Sequence, residues 1–137
     1  MILADTSVTV AAALPWHASH RSAAATLPSK APLIAHVAVE TFSVLTRLPS
    51  PARVPAWAAR RYIAETFEFP PVALPPDSYK ELLDLVAEEG IVGGAVYDAV
   101  VAVTARTLGA SLVSLDRRAA STYSRLGVDY RMIDAGA

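Results

Sequence analysis

Four acidic residues, Asp5, Glu40, Asp98 and Asp116, each fall where a short apolar run meets a helical pattern. Asp5 closes Ile2-Leu3-Ala4, and Asp116 closes Ser111-Leu112-Val113-Ser114-Leu115. Glu40 and Asp98 lie in the early turns of the helices expected after His36 and Val96. Gathered together, carboxylates repel one another by roughly several kcal/mol unless some protonate or a cation neutralises them. Arg117-Arg118 is the obvious internal counter-ion. Oxygen ligands without thiolate or imidazole favour Mg²⁺ or Mn²⁺ over zinc, and an incomplete carboxylate set leaves room for water and a substrate phosphate. Such a cation acidifies water and stabilises phosphorus under attack. The chemistry expected is therefore hydrolysis of a phosphodiester.

The elements must bring acids far apart in sequence to one place. Ile2–Ala4, Leu33–Ala35, Pro70–Leu74, Ser111–Leu115 and Tyr130–Ile133 read as short strands, the third weakened by its prolines. Helices are expected over Val8–Leu14, His17–Leu27, His36–Leu48, Pro55–Phe67, Asp77–Glu89 and Val96–Leu108, and from Asp116 to Leu126. Thr6 or Ser7 can cap the first helix. Strands alternating with helices predict an α/β fold, a three-layer sandwich around a parallel sheet of four or five strands. Ligands of such sheets bind outside the carboxyl ends of the strands. All four acids map to that edge.

The chain has 137 residues, the length of one domain, and 53% of them are hydrophobic, which excludes disorder. No apolar run reaches the roughly 18 residues of a membrane span, and the start does not read as a secretory signal. With no cysteine, thiolate metal sites and disulfides are excluded, and a reducing cytoplasm is the expected location. A net charge of -1 does not announce a nucleic-acid binder, so any polyanion site must come from local clustering or from metal ions.

Leu3-Ala4-Asp5-Thr6-Ser7, Val39-Glu40-Thr41 with Leu45 and Arg47, Tyr97-Asp98-Ala99 with Ala102 and Ala105, and Leu115-Asp116-Arg117-Arg118-Ala119 with Tyr123 and Gly127 together resemble a PIN domain. The closer resemblance is to the VapC-type toxin ribonucleases of bacterial toxin–antitoxin pairs. It spans the chain as one PIN domain, residues 1–137, and is weakest between Pro49 and Gly90. It implies that Asp5, Glu40, Asp98 and Asp116 form an acidic site for Mg²⁺ or Mn²⁺, with Thr6 and Ser7 hydrogen-bonding to it. It also implies endoribonuclease activity, an RNA substrate, a homodimer and a cognate antitoxin. Ser114 stands where the family commonly has threonine, and the hydroxyl is kept.

Each residue also has a plainer reading. Asp5 and Asp116 can be helix caps, and Asp98 can simply favour the positive end of its helix. Glu40 is harder to dismiss among Val37, Val39, Phe42 and Val44. His36, one turn from Glu40, reads as a helix-start residue rather than a ligand, and His17 and His20 read as exposed. Arg117 and Arg118, beside the expected cleft, can touch RNA phosphates; Arg60 and Arg61 fit a solvated face equally well. Trp57, Tyr62 and Ile63 fit core packing, an antitoxin helix or a dimer contact. The alternative function is a non-catalytic PIN-like module that binds RNA or protein, its acids only capping helices. A receiver or a dehalogenase-like phosphatase ranks below both, because Asp5-Thr6-Ser7 offers neither adjacent acids nor Asp-x-Asp.

Overall fold

Three short strands pair in parallel in the order β1 (Ile2–Ala4), β2 (Ser111–Ser114), β3 (Tyr130–Met132). The computed structural model describes residues 1–133, so residues 134–137 of the single unit expected over 1–137 lie outside the described residues. Between the strands run α1 (Thr6–Ala13), α2 (His20–Thr26), α3 (Ala35–Thr46), α4 (Ala56–Thr66), α5 (Ser78–Glu89), α6 (Ala95–Thr107) and α7 (Arg117–Arg125).

Strand register and side-chain alternation set the layers. Leu3 pairs with Leu112 and Ala4 with Val113. Successive side chains of a strand face opposite sides of the sheet, so the first pair lies on one face and the second on the other. Leu3 and Leu112 join the larger core with Val37, Ala102, Ala119 and Tyr123, contributed by α3, α6 and α7. Ala4 and Val113 pack instead with Val8, Ala11 and Ala23 of α1 and α2. Helices therefore cover both faces. Burying a side chain such as Leu112 is worth about 1.5–3 kcal/mol, and it is fully enclosed.

The sheet is narrower than expected. Leu33–Ala35 and Pro70–Leu74 form no strands; they meet only in an isolated bridge between Ile34 and Val72, with a second between Ala31 and Phe67. Pro32, Pro70, Pro71, Pro75 and Pro76 have no N–H to extend either ladder. The bridge still starts α3 at the right place, since Ala35 N–H donates to the Val72 carbonyl at 2.7 Å. The second helix is also shorter than expected. His17–Ser19 form tight turns in which His17 N–H donates to Leu14 and His20 N–H to His17. Gly109, at φ +64°, makes the left-handed turn that joins α6 to β2. No helix among the described residues is long and apolar enough to cross a membrane.

Candidate active site

The carboxyl ends of β1 and β2 open into a crevice of about 540 Å³ lined by Asp5, Glu40, Asp98 and Asp116, together with Thr6, Ser7, His17 and Arg118. Local structure delivers each acid by a different route. Asp5 leaves β1, with its backbone N–H still bonded to the Val113 carbonyl at 3.1 Å, and directly precedes α1. Asp116 sits between β2 and α7, Glu40 in the second turn of α3, and Asp98 in the first turn of α6.

Asp5 is enclosed, with 4% of its surface exposed. Its Oδ1 accepts from the Ser7 hydroxyl and its Oδ2 from Tyr123 Oη–H at 2.8 Å. Burial raises its pKa, against the opposing hydroxyls of Ser114, Ser7 and Tyr123. Burial first, and then the charge of Asp5, also pushes the Tyr123 phenol up, so it stays a donor. Ser7 has a second task, accepting from Leu115 N–H at 2.8 Å and thereby joining the ends of β1 and β2. Ser114 Oγ lies 3.5 Å from Ser7 Oγ and accepts from Asp116 N–H at 3.0 Å.

Thr6 does not cap α1. Its hydroxyl donates to Glu40 Oε1, while Asp5 occupies the cap position without a side-chain cap bond. The plainer reading of Asp116 is realised in part, since Oδ1 accepts from Arg118 N–H at 3.0 Å and so caps α7. Arg118 Nε lies 3.5 Å from the same oxygen and its side chain is almost wholly exposed. Arg117 is exposed and does not line the crevice.

The Asp98 carboxylate has no hydrogen-bond partner among the described residues, and the residue is half-buried. Its pKa is pushed up to about 6, first by burial and then by the charges of Asp116, Asp5 and Glu40, with Arg118 opposing. Asp98 therefore feels the charge of the other three acids across the crevice they share. Among the described residues, however, no three of the His, Cys, Asp and Glu side chains are gathered closely enough to hold an ion as they stand. Three of the carboxylates are held by hydrogen bonds of their own, Asp5 to Ser7 and Tyr123, Glu40 to Thr6 and Asp116 to the Arg118 amide. The donor set is all oxygen and electronegative, and it shares its crevice with open space. That fits a hard cation bound with several waters better than a closed protein cage.

The apolar residues beside Glu40 in sequence do not all point into the core. Val39 is exposed and Phe42 is at the exposed margin, whereas Val37, Thr41 and Leu45 form the buried stripe of α3. Adjacent residues on a helix face different ways, so apolar neighbours in sequence do not measure burial. His36 stacks on Tyr97, with ring centroids 5.4 Å apart, outside the crevice. His17 and His20 are half-buried rather than exposed: His17 lines the crevice and His20 Nδ1 is 2.9 Å from the Ala11 carbonyl. On α4, Trp57 is exposed, Ile63 is buried and Tyr62 Oη–H donates to the Thr9 carbonyl at 2.7 Å. Arg60 is exposed, and Arg61 pairs with Glu65 of its own helix. Tyr123 is the site residue that chemistry-by-residue reasoning missed. The signal for it is the buried stripe Ala119, Thr122 and Tyr123 of α7, since a buried tyrosine needs a partner for its hydroxyl.

Comparison with known proteins gives a consistent neighbourhood. The model of the PIN domain matches residues 2–124. Ribonuclease VapC40 of Mycobacterium tuberculosis is 46% identical over 133 residues, 97% of this chain and 99% of the relative. Ribonuclease VapC27 of the same organism is 38% identical over 125 residues, 90% of either chain. Among solved structures, VapC20 of Mycobacterium tuberculosis, described as a sarcin-ricin loop cleaving toxin, superposes with a TM-score of 0.67 at 20% identity. That match covers 89% of this chain and 95% of VapC20. At such identity the superposition speaks for the fold alone.

Proposed function

The chain belongs to the PIN domain family, and from that premise we propose that it is a VapC-type endoribonuclease, the toxin of a toxin–antitoxin pair, that hydrolyses RNA phosphodiester bonds with Mg²⁺ or Mn²⁺. The observation that carries this reading is the single crevice lined by Asp5, Glu40, Asp98 and Asp116, in which the Asp98 carboxyl feels the other three. The ribonuclease names of two relatives that align along nearly the whole chain support the choice of RNA.

In this reading Asp5, Asp98, Asp116 and Glu40 hold the cation. Bound there, a divalent cation supplies a Lewis acid for the phosphodiester oxygens and acidifies water. The chain's own groups do the positioning. Ser7 and Tyr123 fix both oxygens of Asp5, Thr6 orients Glu40, and the amide of Arg118 orients Asp116. Asp98, without such a bond, is the carboxylate with freedom to adjust or to take a proton from an attacking water. Arg118, on the crevice wall, neutralises a neighbouring RNA phosphate, and the exposed Arg117 reaches the next.

A homodimer and an antitoxin belong to the same proposal. On α3 and α6, Val39 and Tyr97 are exposed around the His36–Tyr97 stack, a face that suits a covering chain. A cytoplasmic location is the matching compartment for a cysteine-free chain. One observation favours the non-catalytic alternative, the α7 cap formed by Asp116. Purified wild type and Asp98→Asn, each incubated with RNA and Mn²⁺ or Mg²⁺, separate the two. Defined RNA ends produced by wild type, absent with Asp98→Asn and absent after chelation, are expected. Intact RNA in every lane, with no thermal shift by Mn²⁺, would leave the binding module standing instead.

A further inference from the structure

The turn between α1 and α2 carries an unexplained pair of rings beside the crevice. Trp16 is 62% exposed, an unusual state for the largest apolar side chain, and its ring lies 6.1 Å from that of His17 at an interplanar angle of 33°. His17 lines the same crevice as the four acids. The backbone holding the rings is firm. Leu14 is buried, His17 N–H donates to the Leu14 carbonyl at 2.9 Å, and the buried Ser19 donates its N–H to His17 Nδ1 at 3.0 Å. Because Nδ1 is an acceptor, the proton of the neutral ring is on Nε2, which has no partner among the described residues and is available to a ligand.

An acidic crevice repels the RNA backbone except beside Arg117, Arg118 and any bound cation, and those charges hold phosphates only, so the bases of the flanking nucleotides need a hold of another kind. Aromatic faces supply it, since single-stranded bases stack on exposed rings without regard to sequence. We propose that Trp16 and His17 form a base-stacking shelf at the lip of the crevice, seating the nucleotide next to the phosphodiester that is cut. Trp16 takes the base face and His17 Nε2–H donates to the sugar or base edge. This inference rests on the ribonuclease reading and names how that site holds single-stranded substrate.

The test is steady-state cleavage of a short randomised single-stranded RNA in Mn²⁺ by wild type, Trp16→Ala and Trp16→Phe. Loss of one stack is expected to raise KM roughly tenfold in Trp16→Ala while kcat stays near wild type, with most of the loss restored in Trp16→Phe. A second measurement reads binding directly. The chain has two tryptophans, so in an Asp98→Asn, Trp57→Phe protein the only indole is Trp16, and the RNA should quench its fluorescence. An abasic ribose-phosphate oligomer should not. Wild type that cuts RNA while Trp16→Ala keeps its KM and Trp16 ignores the RNA overturns the shelf alone, leaving the indole to a protein partner. Wild type that neither cuts nor binds RNA overturns the ribonuclease reading and the shelf together.

Discussion

The two walls of the crevice are built on opposite principles. The strand wall, Asp5 with Ser7, Ser114, Asp116 and Tyr123, is a closed hydrogen-bond network in which every named side chain has a partner. The helix wall has Glu40 with one bond, from Thr6, and Asp98 with none among the described residues. Strand ends locked by β pairing can hold a carboxylate in advance of any ligand. Helices packed from outside the sheet bring charge close and leave it unresolved. The difference says which wall is prepared for the cation and which responds to it.

The comparison breaks most visibly in activity. If both walls serve one metal centre, Asp5→Asn and Asp98→Asn should each lower kcat by roughly 10²- to 10⁴-fold, measured as RNA ends formed per enzyme in Mn²⁺. Either variant cutting at the wild-type rate would remove that carboxylate from the chemistry. Next in size is the cation itself. At about a hundredfold excess over its dissociation constant, Mn²⁺ should stabilise the fold by about 2.7 kcal/mol, several degrees of melting temperature for a chain of this size. Chelation should abolish both the shift and the cutting. A shift that persists undiminished in Asp98→Asn would remove Asp98 from the ion's ligands.

Tyr123→Phe probes the locked wall. It removes the donor to Asp5 Oδ2 without changing the apolar packing of the ring in the core. Leaving that buried oxygen with one partner fewer should cost about 1–2 kcal/mol in urea unfolding, with cutting impaired less than in Asp5→Asn. An unchanged unfolding midpoint would show that the bond contributes nothing to holding Asp5.

What could be read from residue order alone divides along the same line. Asp5 and Asp116 were legible because a strand end is a topological landmark: apolar residues stop, an acid follows, and parallel pairing puts both ends at one edge. Glu40 and Asp98 are legible as to place, through the helix starts, whereas the burial of Glu40 cannot be read from its neighbours, since Val39 and Phe42 face outward. Two expected strands failed because prolines at 32, 70 and 71 cap what pairing can do, and one bridge at Ile34 suffices to launch α3. The Tyr123–Asp5 bond joins residues 118 apart in sequence, and no local pattern encodes such a contact.

The smallest predicted effect is the sharpest test of the unresolved wall. In the cation-free protein Asp98 binds its proton more tightly than in the unfolded chain, at about 6 against an ordinary 3.8, because of burial and then of Asp116, Asp5 and Glu40. A group whose folded pKa is raised makes the native state hold more protons than the unfolded state between those values, so its contribution to stability falls as pH rises from about 4 to about 6 and is level above that. For a half-exposed group solvent screening reduces the effect to about 1 kcal/mol. Urea unfolding in chelator at pH 5 and at pH 7.5 measures it, and Asp98→Asn supplies the control: the slope due to this group should vanish and the variant should exceed wild type in stability at pH 7.5. Saturating Mn²⁺ should erase the same slope in wild type and release protons on binding, since the ion competes with the proton for one carboxylate. A pH slope identical in wild type and Asp98→Asn would mean that Asp98 carries no strain, and the contrast between the two walls would disappear with it.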